Sequence, residues 1–240
     1  MEIGTSNKSF WQTEGSKDFY HLDNAERIIL QPFIANIVND LNPSTLLDFG
    51  CGNGYLSTLV NAHIETHLYD SNDDFINHLI VDESRNNINI LKNESQIKNN
   101  YYDCVVQSSV LMCVGTKEEL NHIFLVNNHA LREGGSLVVV VTHPCFLQYQ
   151  FGHYHTTFNH NNFKYLEEGL KYDVLMKNGN NDPIVFTDYH WSLSTIVNLI
   201  IQNDFRIKKI IEHPDMPYKN NKPNNYVVPW MFIIARKKEC

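Results

Sequence analysis

The stretch of sequence that decides the fold is Leu46-Leu47-Asp48-Phe49-Gly50-Cys51-Gly52-Asn53-Gly54. Its apolar beginning, from Thr45 to Phe49, is typical of a buried parallel β-strand. The glycine turn that follows, residues 50–54, has glycine at every second position, and glycine tolerates backbone conformations that bring a chain close to a ligand. A helix through Ala62 is predicted to follow the turn, with its first N–H groups directed at a negative group.

Asp70 lies twenty residues after Gly50, at the end of the next strand-like segment. A carboxylate in that position can accept hydrogen bonds from both hydroxyls of a ribose. The dinucleotide fingerprint G-x-G-x-x-G would need glycine where Tyr55 stands, so the spacing favours a ligand with a ribose but no pyrophosphate. The alternative interpretation is an ordinary tight connection that binds no ligand.

Strand-like and helix-like segments alternate along most of the chain. The predicted strands are residues 45–49, 65–69, 88–91, 102–107, 136–142, 205–212 and 227–235, and the predicted helices are residues 18–41, 73–80, 117–131 and 193–202. This alternation predicts an α/β fold, a doubly wound, mostly parallel, seven-stranded Rossmann-like sheet. One loop joins the last two strands directly, so the last strand is predicted to be antiparallel.

A length of 240 residues suits one domain, residues 1–240, better than two. Residues 1–44 are predicted to form an N-terminal helical cap. After Pro144 the alternation stops, and the following residues carry aromatics, histidines and Asn/Gly turns with no clear period. Long irregular stretches in compact domains are usually functional, so residues 146–190 are predicted to be a substrate lid inserted after the fifth strand.

Several segments resemble the motifs of class I S-adenosylmethionine-dependent methyltransferases, in particular of the branch that acts on small molecules. Residues 46–54 resemble the first motif of that family, residues 102–106 its fourth-strand motif, and residues 131–135 the turn before its fifth strand. Residues 189–205 resemble a downstream segment common in the small-molecule branch, and the resemblance as a whole spans residues 18–238.

The resemblance implies S-adenosylmethionine as the cofactor and S-adenosylhomocysteine as the product. Asp48 would lie near the methionine amino group, Gln107 and Ser108 would flank the methionine end, and Asn93-Glu94-Ser95 would meet the adenine. The full set of cofactor-binding residues implied in this way is Asp48, Gly50, Cys51, Gly52, Gly54, Asp70, Ser71, Asn93, Glu94, Ser95, Gln107 and Ser108. Cys51 is expected there only as a small buried residue, and Asp103 is expected to anchor its strand rather than touch the cofactor.

Methyl transfer from a sulfonium depends mainly on alignment, but an oxygen acceptor also needs a base, for which histidine is suited near neutral pH. His143 ends the fifth strand, and His190 lies in the family-like Tyr189-His190-Trp191 segment. Each is a candidate catalytic residue, and the alternative for each is a histidine that orients a loop. Tyr20 is predicted either to close over the cofactor or to be a core aromatic.

The proposed lid has many aromatic residues and several histidines. Its aromatic residues would line an apolar pocket or pack the lid onto the sheet, and they are Phe146, Tyr149, Phe151, Tyr154, Phe158 and Phe163. No metal is predicted at His153, His155 and His160, because no carboxylates cluster with them in the sequence.

Composition narrows the classes of partner. The formal net charge is −8, which argues against nucleic acid, and the five cysteines show no metal-binding or disulfide spacing. No signal peptide and no apolar run of about 20 residues is present, so a cytoplasmic protein without a membrane partner is expected, as monomer or homodimer. The sequence thus predicts methylation of an oxygen or nitrogen atom of a small molecule, in secondary metabolism. The alternatives are a peptide or protein methyltransferase, a non-catalytic cofactor-binding module and a nicotinamide-dependent oxidoreductase.

Overall fold

The computed structural model describes residues 26–150, 154–178, 181–213 and 227–239. A π-helical segment, Glu26–Leu30, leads into helix α1 (Gln31–Leu41), which ends where Asn42 adopts a left-handed conformation before Pro43. The predicted beginning of this helix at residue 18 and the candidate residue Tyr20 lie outside the described residues.

The strands within these ranges form two sheets. In chain order they are β1 (Thr45–Phe49), β2 (Glu65–Tyr69), β3 (Ile88–Leu91), β4 (Tyr102–Ser108), β5 (Leu131–Thr142), β6 (Tyr154–Thr156), β7 (Leu170–Asn178), β8 (Asn181–His190), β9 (Phe205–His213) and β10 (Trp230–Lys237). The larger sheet has seven strands in the order β3-β2-β1-β4-β5-β10-β9, and β10 runs antiparallel to both of its neighbours. The predicted Rossmann-like sheet with an antiparallel last strand is therefore confirmed.

Helices cover both faces of this sheet, because alternate strand residues are apolar on each side. Leu46, Val106 and Val138 pack on the side of α1, whereas Leu47, Val105 and Val139 pack on the opposite side. That opposite side is covered by two helices, Lys117–Ala130 and Leu193–Gln202. The helices after α1 are α2 (Asp73–Asn77), α3 (Lys117–Ala130) and α4 (Leu193–Gln202).

The predicted helix after the glycine turn is wrong. Only a short 3₁₀ helix, Tyr55–Thr58, follows the turn. The Arg85 guanidinium donates hydrogen bonds to the carbonyl oxygens of Ser57 (2.7 Å) and Ile64 (2.8 Å), so a distant side chain satisfies groups that a longer helix would have used. Helix α2 is also shorter than predicted, since the backbone N–H of Ile80 donates to the carbonyl of Asn53 in the glycine turn (2.6 Å).

The insertion, residues 146–190, is not irregular as the sequence suggested. Strands β6, β7 and β8 form an antiparallel three-stranded sheet. Every second residue along β7 and β8 faces the buried side of this sheet. The apolar cluster on that side includes Leu147, Phe158, Tyr172, Val174, Met176 and Phe186. The insertion therefore has a small core of its own.

The predicted turn at residues 131–135 belongs to β5, where it forms a bulge. Leu131 pairs with Tyr102, but the next pair is Ser136 with Cys104, so the intervening residues protrude from the ladder. Gly134 provides the left-handed conformation that this bulge needs, with φ +69°. No helix within the described ranges is long and apolar enough to span a membrane.

Candidate active site

The strand order brings the carboxyl ends of β3, β2, β1 and β4 side by side at one edge of the sheet. Four predicted cofactor-binding positions lie at these ends, namely Asn93, Asp70, Asp48 and Ser108. Open parallel sheets bind ligands at this edge. The sheet topology therefore collects residues that are far apart in the sequence.

The glycine turn is held tightly against β2 and β4. Its three glycines all have left-handed φ angles, and the backbone N–H groups of Gly50 and Cys51 donate to the carbonyl of Tyr69 at 2.8 and 3.0 Å. A Cβ atom on Gly50 would lie 2.4 Å from Cγ2 of Val110, which belongs to the loop after β4. Only glycine allows that loop to pack on the turn.

Two carboxyl groups lie beside the turn. Asp70 accepts the backbone N–H groups of Gly52 (2.9 Å) and Asn72 (2.8 Å), and burial nevertheless raises its pKa to about 6. Asp48 is 3% exposed, and burial, reinforced by the charge of Asp70, raises its pKa to about 7. No donor from the described residues reaches the Asp48 carboxylate at hydrogen-bonding distance. The pair therefore favours a ligand that brings positive charge.

Cys51 has no acid–base role in this arrangement. Burial, and then the charges of Asp48 and Asp70, raise the pKa of its thiol well above the usual value. A protonated thiol is a poor nucleophile. Its surroundings agree with the expectation of a small packing residue.

Of the other predicted cofactor positions, Asn93, Glu94 and Gln107 have side-chain partners within the protein, whereas Ser108 does not. Asn93 caps the 3₁₀ helix Glu94–Gln96, and the Glu94 carboxylate accepts a hydrogen bond from Nε2 of His122 at 2.9 Å. The Gln107 side chain is buried under α3, where its Oε1 accepts from Nδ2 of Asn127 at 2.8 Å. The Ser108 hydroxyl is buried without a hydrogen-bond partner among the described residues. Asp103 anchors β4, as expected, by accepting the backbone N–H groups of Ser44 (2.7 Å) and Thr45 (3.2 Å).

A second space, which we name the acceptor pocket, lies where β5 meets the insertion. The pocket is lined by Leu111, Met112, Val141, Thr142, Pro144, Leu147, Tyr172, Tyr189, His190, Trp191 and Ile196. Leu111 and Met112 directly follow Val110, so the loop that packs on the glycine turn also forms one wall of this pocket.

His190 is buried in the wall of the acceptor pocket in a defined tautomer. Its Nε2 lies 2.7 Å from the carbonyl oxygen of Tyr165, and a carbonyl only accepts, so Nε2 carries the proton. Its Nδ1 therefore has the lone pair, and it is buried with no hydrogen-bond partner in the described parts of the chain. Burial lowers the pKa of His190, which keeps the ring neutral at neutral pH.

The segment Tyr165–Gly169, here called the strap, ties His190 to the start of α4. The Tyr165 hydroxyl accepts the backbone N–H of Leu193 (2.9 Å), and the Gly169 N–H donates to the carbonyl of His190 (2.8 Å). Glu168 accepts hydrogen bonds from the Ser192 hydroxyl and backbone N–H and from the Thr195 hydroxyl. Burial works against its charge, but these hydrogen bonds prevail and lower the pKa of Glu168.

His143, the other candidate base, has both ring nitrogens engaged. The Cys145 N–H donates to Nδ1 (3.2 Å), so Nε2 carries the proton and donates to Oε1 of Glu212 (2.9 Å). These contacts favour the alternative in which His143 orients the loop after β5. Among the predicted lid aromatics, Phe158 belongs to the core of the insertion, and Tyr154 and Phe163 pack against that core.

Sequence analysis missed the strap and the pocket wall. Tyr165 and Glu168 lie in a segment without periodicity, and no local signal marks them. The sequence gives Trp191 no role beyond its place in the Tyr189-His190-Trp191 segment. In the structure it lines the acceptor pocket and donates from Nε1 to the carbonyl of Val114 at 2.9 Å. Of the three lid histidines, His153 lies outside the described residues, and no group of three metal ligands forms among the residues that are described.

Comparison with known proteins agrees with the fold. The family model for the methyltransferase small domain matches residues 16–174, which is more than half of the 240 residues. No curated protein matches the chain.

Solved structures share the fold at low sequence identity. The CcbJ methyltransferase from Streptomyces caelestis has a TM-score of 0.71 at 12% identity, covering 98% of this chain and 100% of its own. The sugar N-methyltransferase KedS8 from a Streptoalloteichus species has a TM-score of 0.61 at 14% identity, covering 100% and 99%. A 1,6-didemethyltoxoflavin-N1-methyltransferase from Burkholderia thailandensis, with bound 1,6-didemethyltoxoflavin and S-adenosylhomocysteine, has a TM-score of 0.57 at 12% identity, covering 94% and 83%.

Proposed function

The chain belongs to the methyltransferase small-domain family and is an S-adenosylmethionine-dependent methyltransferase, and on this premise we propose that it methylates an oxygen or nitrogen atom of a small molecule. One observation carries the choice of acceptor: a pocket lined mostly by apolar and aromatic side chains includes His190, whose buried Nδ1 has no hydrogen-bond partner among the described residues. Such a lining suits a small molecule better than a folded protein surface.

The residues of the glycine turn fit the cofactor. S-adenosylmethionine supplies, when bound, a methyl group on a positively charged sulfur, and S-adenosylhomocysteine is its product. The buried Asp48 carboxylate lacks a donor among the described residues and suits the ammonium of the methionine part, and Asp70 suits the ribose hydroxyls. We assign the close approach of the methionine part to Gly50, Gly52 and the buried Ser108 hydroxyl. The adenine is assigned to the segment Asn93-Glu94-Ser95, and Gly54, Ser71 and Gln107 complete the proposed site.

His190 is the proposed general base. A neutral imidazole with Nε2–H fixed by the Tyr165 carbonyl presents Nδ1 as the proton acceptor. A positioned base contributes roughly 10²–10⁴-fold to the rate of such a reaction. His143 then acts indirectly, by holding the loop after β5. Tyr20 remains proposed to close over the cofactor, and residues 1–44 remain proposed as an N-terminal helical cap.

The insertion, residues 146–190, is the proposed substrate lid. Its strands β7 and β8 supply one wall of the acceptor pocket, while β5 of the large sheet supplies another. Closure of such a wall would exclude water from the reacting atoms. We place the protein in the cytoplasm, in secondary metabolism, as a monomer or homodimer; its formal charge of −8 supports the absence of a nucleic-acid partner.

The experiment that tests this function follows tritiated methyl groups. The protein is incubated with S-adenosyl-[methyl-³H]methionine and with the small-molecule, protein and RNA fractions of a cell extract. We expect label in the small-molecule fraction with the wild type, and none with Asp70→Asn. Label in the protein or RNA fraction instead would overturn the choice of acceptor. Bound cofactor with no label in any fraction would favour a non-catalytic module.

A further inference from the structure

We propose that the methyl acceptor is a neutral phenol whose hydroxyl group donates a hydrogen bond to Nδ1 of His190. This inference rests on the proposed function and names its substrate class.

Among the described residues, none that lines the acceptor pocket has a side chain that is charged at neutral pH. Its polar members among the described residues are Thr142, Tyr172, Tyr189, His190 and Trp191, and His190 is neutral. Binding an ammonium or a carboxylate there would strip an ion of its water without a counterion in contact, which is costly. An alkyl amine is cationic and a carboxylic acid is anionic near pH 7, whereas a phenol enters uncharged.

The charges behind the pocket wall disfavour an anionic acceptor further. Asp188 is 2% exposed and pairs in register with Tyr172, and Glu168 lies in the strap behind His190. Burial, and then the neighbouring Tyr154 and Asp188, raise the pKa of Tyr172, so its hydroxyl keeps its proton.

The lining of the pocket suits an aromatic ring. Three aromatic side chains, Tyr172, Tyr189 and Trp191, line it together with Met112, and aromatic and thioether groups pack well against a planar ring.

A general base at His190 is useful only for an acceptor that has to lose a proton. A carboxylate needs no base, but a phenol oxygen becomes a strong nucleophile only as its O–H bond breaks. The proton passes to Nδ1, and the electron pair of the O–H bond forms the new O–C bond to the methyl group. The electron pair of the breaking S–C bond stays on sulfur, so the products are a methyl ether, S-adenosylhomocysteine and a protonated His190. The negative charge of Glu168 favours that protonated ring.

The test compares four probes of nearly equal shape: 4-methylphenol, 4-methylaniline, 4-methylbenzylamine and 4-methylbenzoate. Binding to the protein saturated with S-adenosylhomocysteine is measured by calorimetry, and methyl transfer is measured with labelled S-adenosylmethionine. We expect 4-methylphenol to bind at least tenfold more tightly than the charged probes and to be converted to 4-methylanisole. Preference for either amine or for the carboxylate, or failure of every probe to bind, overturns the phenol assignment.

The role of His190 is tested with His190→Gln. We expect at least a 100-fold loss of 4-methylphenol turnover with binding of the probe changed less than fivefold, because the base is lost and the pocket remains. The matched control is His63→Gln, an exposed histidine bonded to Asn42, which should behave as the wild type. Turnover of His190→Gln close to that of the wild type would overturn the assignment.

Different results would contradict the phenol assignment and the proposed function. If S-adenosylhomocysteine binds but another probe is methylated, the substrate class is wrong and the proposed function stands. If S-adenosylhomocysteine does not bind to the wild type, the proposed function itself fails.

Discussion

At the scale of single residues, the buried carboxyl group of Asp48 makes the stability of the ligand-free protein depend on pH. Its pKa is about 7 in the folded protein against an ordinary value of 3.8. Between about pH 4 and pH 7 the folded state thus binds this proton more tightly than the unfolded chain does. The free energy of unfolding therefore falls as the pH rises through this window, and it does not recover above it.

The variant Asp48→Asn tests this linkage, since an amide of the same shape does not ionise. We expect its melting temperature to fall less between pH 5 and pH 8 than that of the wild type, both measured without cofactor. Asp70, whose pKa is also raised, leaves a smaller dependence in the variant. The control is Asp40→Asn, at an exposed position of α1, which should follow the wild type. Parallel curves for Asp48→Asn and the wild type would contradict the account.

Gly50 is the residue of the glycine turn that packs against the loop after β4. In Gly50→Ala the new Cβ would meet Val110 at 2.4 Å, at a backbone φ of +77°. We expect a loss of about 1–2 kcal/mol in unfolding free energy from the left-handed conformation. Displacement of the loop should also weaken S-adenosylhomocysteine binding at least tenfold by calorimetry.

A matched control separates the two effects. Gly134 has a similar φ, +69°, but a Cβ there would meet only the flexible side chain of Glu239. Gly134→Ala should lose comparable stability and bind S-adenosylhomocysteine as the wild type does. Equal weakening of binding in both variants would mean that the contact between Gly50 and Val110 is not what shapes the cofactor site.

At the scale of elements, the strap acts as a positioning device for His190. Glu168 anchors it to the start of α4, and its negative charge raises the pKa of His190 against the larger lowering effect of burial. In Glu168→Gln we therefore expect the pKa of His190 to fall further, measured from its imidazole resonances by NMR. Glu167→Gln, the exposed neighbour paired with Lys164, is the control and should leave that pKa unchanged. A rise in the pKa of His190 in Glu168→Gln would be incompatible with this role.

The insertion has a core separate from that of the large sheet, so damage to it should spare the cofactor. Phe186, 4% exposed, packs in that core. We expect Phe186→Ala to lower stability by about 3–5 kcal/mol and to abolish methyl transfer. Its affinity for S-adenosylhomocysteine should stay within threefold of the wild type.

The neighbouring Val185 provides the control for this variant. It is 49% exposed on the other face of β8, so Val185→Ala should change neither stability nor activity appreciably. Loss of S-adenosylhomocysteine binding in Phe186→Ala would show that the insertion is part of the cofactor site rather than a separate wall for the acceptor.

Elements with local signals at both ends could be predicted from the sequence. The observed bounds of β1, β2, β3 and α4 coincide with the predicted ones, because apolar runs there end at turn or capping residues such as Gly50 and Ser192. The helix predicted after the glycine turn failed for a non-local reason, since Arg85 takes up carbonyl groups far away in the sequence. The strands of the insertion were not predicted, because polar Asp188 and His190 occupy core-facing positions and interrupt the alternation of apolar and polar residues.

The residues of the candidate site also differ in whether a local sequence signal predicts them. The glycine turn, Asp48 and Asp70 are recognisable because they lie at the ends of strongly apolar strands. The chemical state of His190 depends on Tyr165, twenty-five positions earlier, and on the sheet that brings them together. No local pattern contains that contact, so the sequence left His143 and His190 equally plausible as bases.

At the scale of the whole molecule, one loop connects two sites of different character. The residues that follow β4 pack on the acidic cofactor turn through Val110 and line the neutral acceptor pocket through Leu111 and Met112. In the proposed function, the doubly wound sheet provides the cofactor side, and the insertion completes the acceptor side. This proposed division places the acidic residues beside the cofactor and keeps charge out of contact with the acceptor.

The most direct test of the central claim is calorimetric titration of S-adenosylhomocysteine into the wild type and Asp70→Asn, with the exposed Asp73→Asn as control. The account predicts micromolar binding to the wild type and control, about −8 kcal/mol, and at least tenfold weaker binding to Asp70→Asn. Equal binding to all three proteins would remove Asp70 from the ribose site. Absence of binding to the wild type, with tight binding of NAD instead, would contradict the cofactor assignment itself.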